Sequence, residues 1–162
     1  MAKTLRDDSM CFACSPKNPI GLKLTFQQDG DVCRCRFTAR PEHQGWRDLL
    51  HGGLIATLLD EVMAQWLWAR GITAMTAEMT TRFSRAVPVG RELLLESRLE
   101  ADRGKVAELS GRLVLPDGTV AARARAKFLK LDAENMAKGV LTLAKNGSPV
   151  SVEKEPEKQE PV

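Results

Sequence analysis

The stretch Leu49–Glu61, LLHGGLIATLLDE, holds the residues best suited to chemistry. Gly52 and Gly53 stand where a long helix would begin. A helix leaves its first N–H groups without intrahelical partners, at the positive end of its dipole. Glycine there lets a ligand approach the backbone closely. Such a place attracts a carbonyl oxygen that is gaining negative charge. Two glycines alone favour the plainer reading, flexible residues that start a helix. Asp60 changes the balance. At 100° per residue the apolar stripe of the helix centres near Ile55, Leu59 and Trp66, and Asp60 lies about 100–120° away. It shares its flank with Gly53, Ala56, Thr57 and Ala64. A carboxylate at the edge of a buried face, among small residues, has room for water or substrate. Partial desolvation there raises its pKa toward useful base strength. The competing reading is a solvated carboxylate beside Glu61. Glu61 points about another 100° round, toward the polar side, and is expected to be solvated.

Four cysteines form two short spacings, Cys11-x2-Cys14 and Cys33-x-Cys35. A four-thiolate zinc site is the sharper reading, but its usual form pairs two C-x2-C knuckles. The second pair falls in Asp31–Arg40, which reads as a strand with Cys33, Cys35 and Phe37 on one face and Arg34 and Arg36 on the other. A buried Cys in a strand behaves as a small hydrophobe and needs no metal. His51 as a metal ligand would need partners, and His43 is the only other histidine. No metal and no separate cofactor are therefore expected.

The elements that must position these residues follow from periodicity. Residues 1–10 are polar and expected to be loose, and Cys11–Gly21 is turn-rich. Leu22–Gln28 alternates as a strand, and Asp29-Gly30-Asp31 turns it into the cysteine strand as a hairpin. Arg40–Leu50 is a loop. Gly52–Arg70 reads as one helix with a broad apolar stripe, stopped by Gly71. Four strands follow: Met75–Arg85, Glu92–Ala101, Lys105–Leu115 and Thr119–Leu131. In the first, Met75, Ala77, Met79, Thr81 and Phe83 alternate with Thr76, Glu78, Thr80 and Arg82. So wide an apolar stripe demands a sheet wrapped around it, which makes the class α+β. After Leu131 the pattern fades into a weak helix at Ala133–Leu143 and a charged, Pro-rich tail, Lys145–Val162, expected to be disordered.

Composition narrows the function. At 162 residues the chain is one domain with a sizeable core. Residues 132–162 carry a net −2 and residues 1–131 a net +5. That mild excess suits an anionic small molecule. With aromatic residues at 5%, a stacking platform for nucleic acid is not expected. The longest apolar run, Gly53–Leu59, is far short of the ~18 residues of a membrane span. With no apolar stretch at the start of the chain, a cytoplasmic location is expected.

The motifs together resemble the PaaI-like acyl-CoA thioesterases of the hotdog fold. His51-Gly52-Gly53 with Asp60 nine residues after the histidine carries the likeness. Cys11–Phe26 (CFACSPKNPIGLKLTF) is similar to the N-terminal stretch of one branch of that family. Glu42–Trp46 resembles the loop before its His-Gly-Gly. Thr76–Met79 through Arg82-Phe83 and then Pro88-Val89-Gly90 resembles its third strand. The likeness covers residues 11–131. It implies one long helix wrapped by a curved antiparallel sheet of about six strands, and hydrolysis of an acyl-CoA thioester. Asp60 matches the catalytic base or nucleophile, Gly52 the backbone donor to the thioester carbonyl, and Thr76 the residue that orients the carboxylate or water. Gly53 would stand beside Gly52 at the substrate, and His51 and Gln44 would hold the turn. Arg82 and Arg85 would meet the phosphates of coenzyme A, and Met63 would line the acyl pocket. A homodimer or homotetramer is implied, with each site shared between copies. Two departures stand out: Gly45–Leu50 replaces a Gly-x-Pro-Gly loop, and Ser15 stands where glycine is common. A non-catalytic module that only binds acyl-CoA is the main alternative. A hydratase or dehydratase would need a histidine base.

Overall fold

The computed structural model describes residues 10–131. The expected loose start, the weak helix at Ala133–Leu143 and the charged tail lie outside the described residues. Six strands and one long helix make up the fold, and the compact unit that contains them ends at Lys130.

Strands β1 (Phe26–Asp29) and β2 (Val32–Thr38) form a hairpin whose turn puts Gly30 at φ 57°. A short 3-10 turn, Pro41–His43, follows, and then helix α1 (Gly52–Trp68). Strands β3 (Ala74–Phe83), β4 (Glu92–Asp102), β5 (Val106–Val114) and β6 (Val120–Lys130) complete one antiparallel sheet in the order β1-β2-β4-β5-β6-β3. Helix α1 packs against all six strands, so the sheet wraps it. This is the expected α+β architecture.

The core lies between helix and sheet. Leu58, Leu59, Val62 and Met63 have no exposed surface. Burying side chains of this size contributes about 1.5–3 kcal/mol each. They meet Leu93 and Leu95 of β4, Leu109 and Leu113 of β5, and Phe128 of β6. Gly111 shows why the helix comes so close to β5. A Cβ there would stand 3.3 Å from Met63 Cγ, tighter than most real contacts, and 3.5 Å from Leu59 Cδ2. Two side-chain bonds then fix the helix along its length. The buried Ser97 hydroxyl donates to Val62 O at 2.7 Å, and Trp66 Nε1 donates to Asp31 O at 2.8 Å. At the far end Gly71, at φ 75°, and Ile72 donate back to Trp68 O and Leu67 O, and the helix ends at Trp68, two residues before the expected Arg70.

Two elements differ from the alternation in the sequence. The expected strand Leu22–Gln28 joins the sheet only from Phe26. Leu22 and Leu24 are buried, but their amides donate to Phe12 O and Ala13 O of the N-terminal loop, and Lys23 between them sits at φ 55°. Strand β3 carries a bulge between Thr76 and Glu78. An extra residue resets the two-residue period. Met75 is 44% exposed and Thr76 turns toward the helix, the reverse of the expected faces. Beyond the bulge, Met79 and Thr81 face inward while Glu78, Thr80 and Arg82 face out.

Candidate active site

The start of α1 is held by three segments at once. His51 is the N-cap, and its Nδ1 accepts from Gly53 N–H at 2.9 Å. Its backbone N–H donates to His43 O at 3.0 Å. Leu50 N–H donates to Val87 O, while Leu49 bridges to Pro88. His43 is itself buried, stacked on Phe37 with ring centroids 5.5 Å apart, and its Nδ1 accepts from Arg40 N–H. Burial, with Arg40 nearby, pushes the His43 pKa down and favours the neutral ring. This support escaped the sequence reading. Its signal is the spacing His43–Gly45–His51 with the Val87–Gly90 turn.

Glycines 45 and 53 have a local reason. A Cβ on Gly53 would lie 3.0 Å from His51 Nδ1, and one on Gly45 would lie 3.1 Å from the same ring. The imidazole thus occupies the space of both missing side chains. Gly52 is different. A Cβ there would meet only Phe83, at 3.9 Å, so packing within the chain does not require glycine. The Gly52 amide is a first-turn N–H of the helix, exposed at its mouth.

Gln44 braces the loop rather than the helix. Its Nε2 donates to Pro41 O at 2.8 Å and its Oε1 accepts from Asp48 N–H at 2.5 Å. That lets Asp48 hold φ 60° in the segment that replaces the Gly-x-Pro-Gly loop.

Two turns along, the half-buried flank of α1 carries Ala56, Thr57, Asp60 and Ala64. Asp60 Oδ1 accepts from the Thr76 hydroxyl at 2.6 Å. The β3 bulge is what aims Thr76 at it. Burial pushes the Asp60 pKa above the usual carboxylate range, and the Thr76 hydrogen bond works against that rise. The pair is a carboxylate held in one orientation, short of water, with a raised affinity for protons. This is the equipment of a general base.

Other expected residues stand apart from the pair. Met63 is wholly buried against Gly111. Arg82 lies on the outer face of β3, in register with Arg123 of β6, and Arg85 follows the strand's end, exposed. Glu61 departs from its expected solvated role. It turns toward the N-terminal loop, where its Oε1 accepts from Gln65 Nε2 at 2.9 Å and its carboxylate neighbours Cys11 and Cys14. Cys33 and Cys35 are buried in the core, and burial pushes their thiols up to about 11 and about 12.

Residues 48–122, which run from the loop through α1 to the start of β6, match the family described as Thioesterase superfamily. The bovine protein Acyl-coenzyme A thioesterase THEM4 is 33% identical over 118 residues, which is 71% of this chain and 48% of that protein. The solved thioesterase superfamily protein RHA08564 is 27% identical with a TM-score of 0.69, over 72% of this chain and 61% of that one. The chain is thus similar to thioesterase superfamily proteins over its described core. Its fold is the hotdog fold that the motifs imply. A Streptococcus mutans protein solved bound to acetyl CoA shares that fold at 16% identity, with a TM-score of 0.63 over 67% of this chain and 88% of that one. The chain spans about half the length of the curated relative it matches. Among the described residues, none of its helices is long and apolar enough to cross a membrane.

Proposed function

We propose that this chain is an acyl-CoA thioesterase, with Asp60 as general base or nucleophile and the Gly52 amide as donor to the thioester carbonyl. The observation that carries the reading is the Asp60–Thr76 hydrogen bond on the half-buried flank of α1. One oxygen of the carboxylate is engaged, which leaves Oδ2 for a water or the acyl carbon. Acting as base, Asp60 takes a proton from water as the hydroxyl oxygen attacks the carbonyl carbon. The carbonyl oxygen becomes an oxyanion at the Gly52 N–H. When the C–S bond breaks, the departing thiolate of coenzyme A takes up the proton. A single well-placed oxyanion donor supports about a 10²–10³-fold rate gain.

Helix geometry makes this a site of two chains. Gly52 and Asp60 are eight residues apart on one helix, or roughly 12 Å of rise. Both groups must approach within ~3 Å of one carbonyl, which one helix cannot arrange. A second copy that lays its Gly52 beside Asp60 solves the problem. Strand β3 ends the sheet with one side unpaired by any described strand, and Met75 and Phe83 are exposed on it, at 44% and 53%. Pairing of two such edges buries these side chains and explains why Gly52 needs no Cβ. A homodimer, or a tetramer built from it, is the working unit.

His51 and Gly53 set the turn, and Gln44 steadies the loop before it. Arg82, with Arg123 in register beside it, and Arg85 offer positive charge to the phosphates of coenzyme A, as like charges set side by side favour an anion between them. Met63 bounds the acyl chain only from within the core. Coenzyme A enters as part of the substrate, and a cytoplasmic acyl-CoA pool fits this reading. The Streptococcus mutans relative holds acetyl CoA on the same fold, and the bovine relative is named for the same reaction. The test is thiol release from short, medium, long and aromatic acyl-CoAs, with mass in solution measured alongside. Turnover by a dimer or larger assembly supports the reading. Tight acyl-CoA binding without thiol release would leave only a binding module.

A further inference from the structure

The N-terminal loop meets α1 at a cluster that thioester hydrolysis does not use. Cys11, Cys14 and Glu61 each present one ligand atom, and the two Sγ atoms and the carboxylate oxygen all lie within 4.8 Å of one another. All three residues are half-buried, which leaves a route for an ion. We propose that Cys11, Cys14 and Glu61 form a zinc site that fastens the N-terminal loop to helix α1.

The geometry needs little adjustment. Two sulfurs bound 2.3 Å from a tetrahedral ion lie ~3.8 Å apart. The C-x2-C spacing supplies both from one tight turn, closed by Ser15 N–H donating to Cys11 O at 3.1 Å. The sequence offers a second cysteine pair as the remaining ligands, but Cys33 and Cys35 are spent in the core. The carboxylate takes their place. The fourth side of the cluster faces Gln65, one turn beyond Glu61, whose Nε2 lies 2.9 Å from Glu61 Oε1 and 3.8 Å from Cys14 Sγ. Its amide oxygen, after a half-turn, completes a tetrahedron, or its N–H₂ group holds a bound water in that position.

The donor set selects the metal. Two thiolates disfavour magnesium, calcium and manganese, and a carboxylate disfavours copper(I); zinc accepts both kinds of ligand without a redox change. On binding, the two thiols give up their protons to solvent and two S–Zn bonds form. A bound dication offsets the charge of the two thiolates and the carboxylate that converge here.

The mechanical consequence is specific. Among the described residues, two backbone bonds, Leu22 N–H to Phe12 O and Leu24 N–H to Ala13 O, tie the 11–14 turn to the next segment. An ion on Glu61 fixes that turn to the helix directly beside Asp60.

The experiment uses the untagged full chain, stripped with chelator under reducing conditions and titrated with cobalt(II). The expected result is one equivalent per chain, with thiolate-to-cobalt charge transfer in the near ultraviolet and intense tetrahedral bands in the visible, all displaced by zinc. Zinc at a hundred times its Kd should raise Tm by roughly 10 °C. Cys11→Ser, Cys14→Ser and Glu61→Gln should each abolish that rise. Glu61→Gln keeps the side chain's shape and answers the question if a cysteine variant does not fold. Cys33→Ala should keep the cobalt spectrum. The proposal is overturned by a cobalt spectrum without thiolate charge transfer, by full zinc binding in Glu61→Gln, or by its loss in Cys33→Ala. Absence of metal binding with ready oxidation of Cys11 and Cys14 to a disulfide also overturns it, and marks a redox pair instead. None of these readouts depends on thioester hydrolysis.

Discussion

Asp60 and Glu61 are adjacent on α1, yet their surroundings differ in each respect that sets a carboxylate's chemistry. Asp60 faces β3, accepts one hydroxyl, sits among small side chains and has its pKa raised by burial. Glu61 faces the N-terminal loop, shares an amide with Gln65 and stands beside two thiols. A single residue's turn of about 100° separates the group proposed as a base from the group proposed as a cation ligand. The comparison teaches that the helix is a divider. On the roles proposed above, its β3 flank faces the reaction and its loop flank secures the scaffold.

The most severe way to break this division is Asp60→Asn. Thiol release should fall at least ~100-fold in kcat with the assembly unchanged, because the proposed general base is gone. The same variant carries a stability test. Asp60 has a folded-state pKa above its unfolded value, so the folded chain binds the proton more tightly. That favours the fold at acid pH, and the gain is lost as pH rises through the folded value. At neutral pH the ionised group is therefore a burden. Asp60→Asn should melt no lower than the parent at pH 7, with any advantage shrinking toward acid pH. A clear loss of Tm at pH 7 would instead make Asp60 a structural residue.

Gly52→Pro removes the proposed donor and little else. Proline suits the first helical position, and the residue before it, His51, already has the extended backbone that proline requires, at φ −61° and ψ 132°. A kcat loss of about 10²-fold with a small change in Tm is expected. Gly52→Ala keeps the N–H and has space for its Cβ within one chain. An equal loss in both variants would show that crowding, not the hydrogen bond, is what matters.

Thr76→Val sharpens the picture with a smaller effect, about 10-fold in kcat. The Thr76 bond opposes the rise in the Asp60 pKa, so its removal should move the acid limb of the pH–rate profile to higher pH. A profile that stays in place would detach Thr76 from the base. The smallest effect belongs to the other flank. Glu61→Gln should leave kcat within about 3-fold of the parent, since one turn of a packed helix remains in place. A 100-fold loss there would erase the division between the two flanks.

The sequence by itself determined the architecture and the residue types of the site. Period-two strands flanking one broad apolar stripe leave little choice but a sheet around a helix, and the helix's ends are written in His51-Gly52-Gly53 and Gly71. Asp60's place on the small-residue flank followed from angular arithmetic along a rigid helix. The tertiary structure decided what local periodicity does not encode. A bulge in β3 reversed Met75 and Thr76 and so delivered the hydroxyl to Asp60. The N-terminal loop took the amides of Leu22 and Leu24 and shortened β1. That same loop brought Cys11 and Cys14 onto Glu61, a residue that angular position alone leaves to solvent. In each case the deciding partner is remote in the chain, and the hydrogen bonds and burial it supplies outweigh the preference of the local pattern.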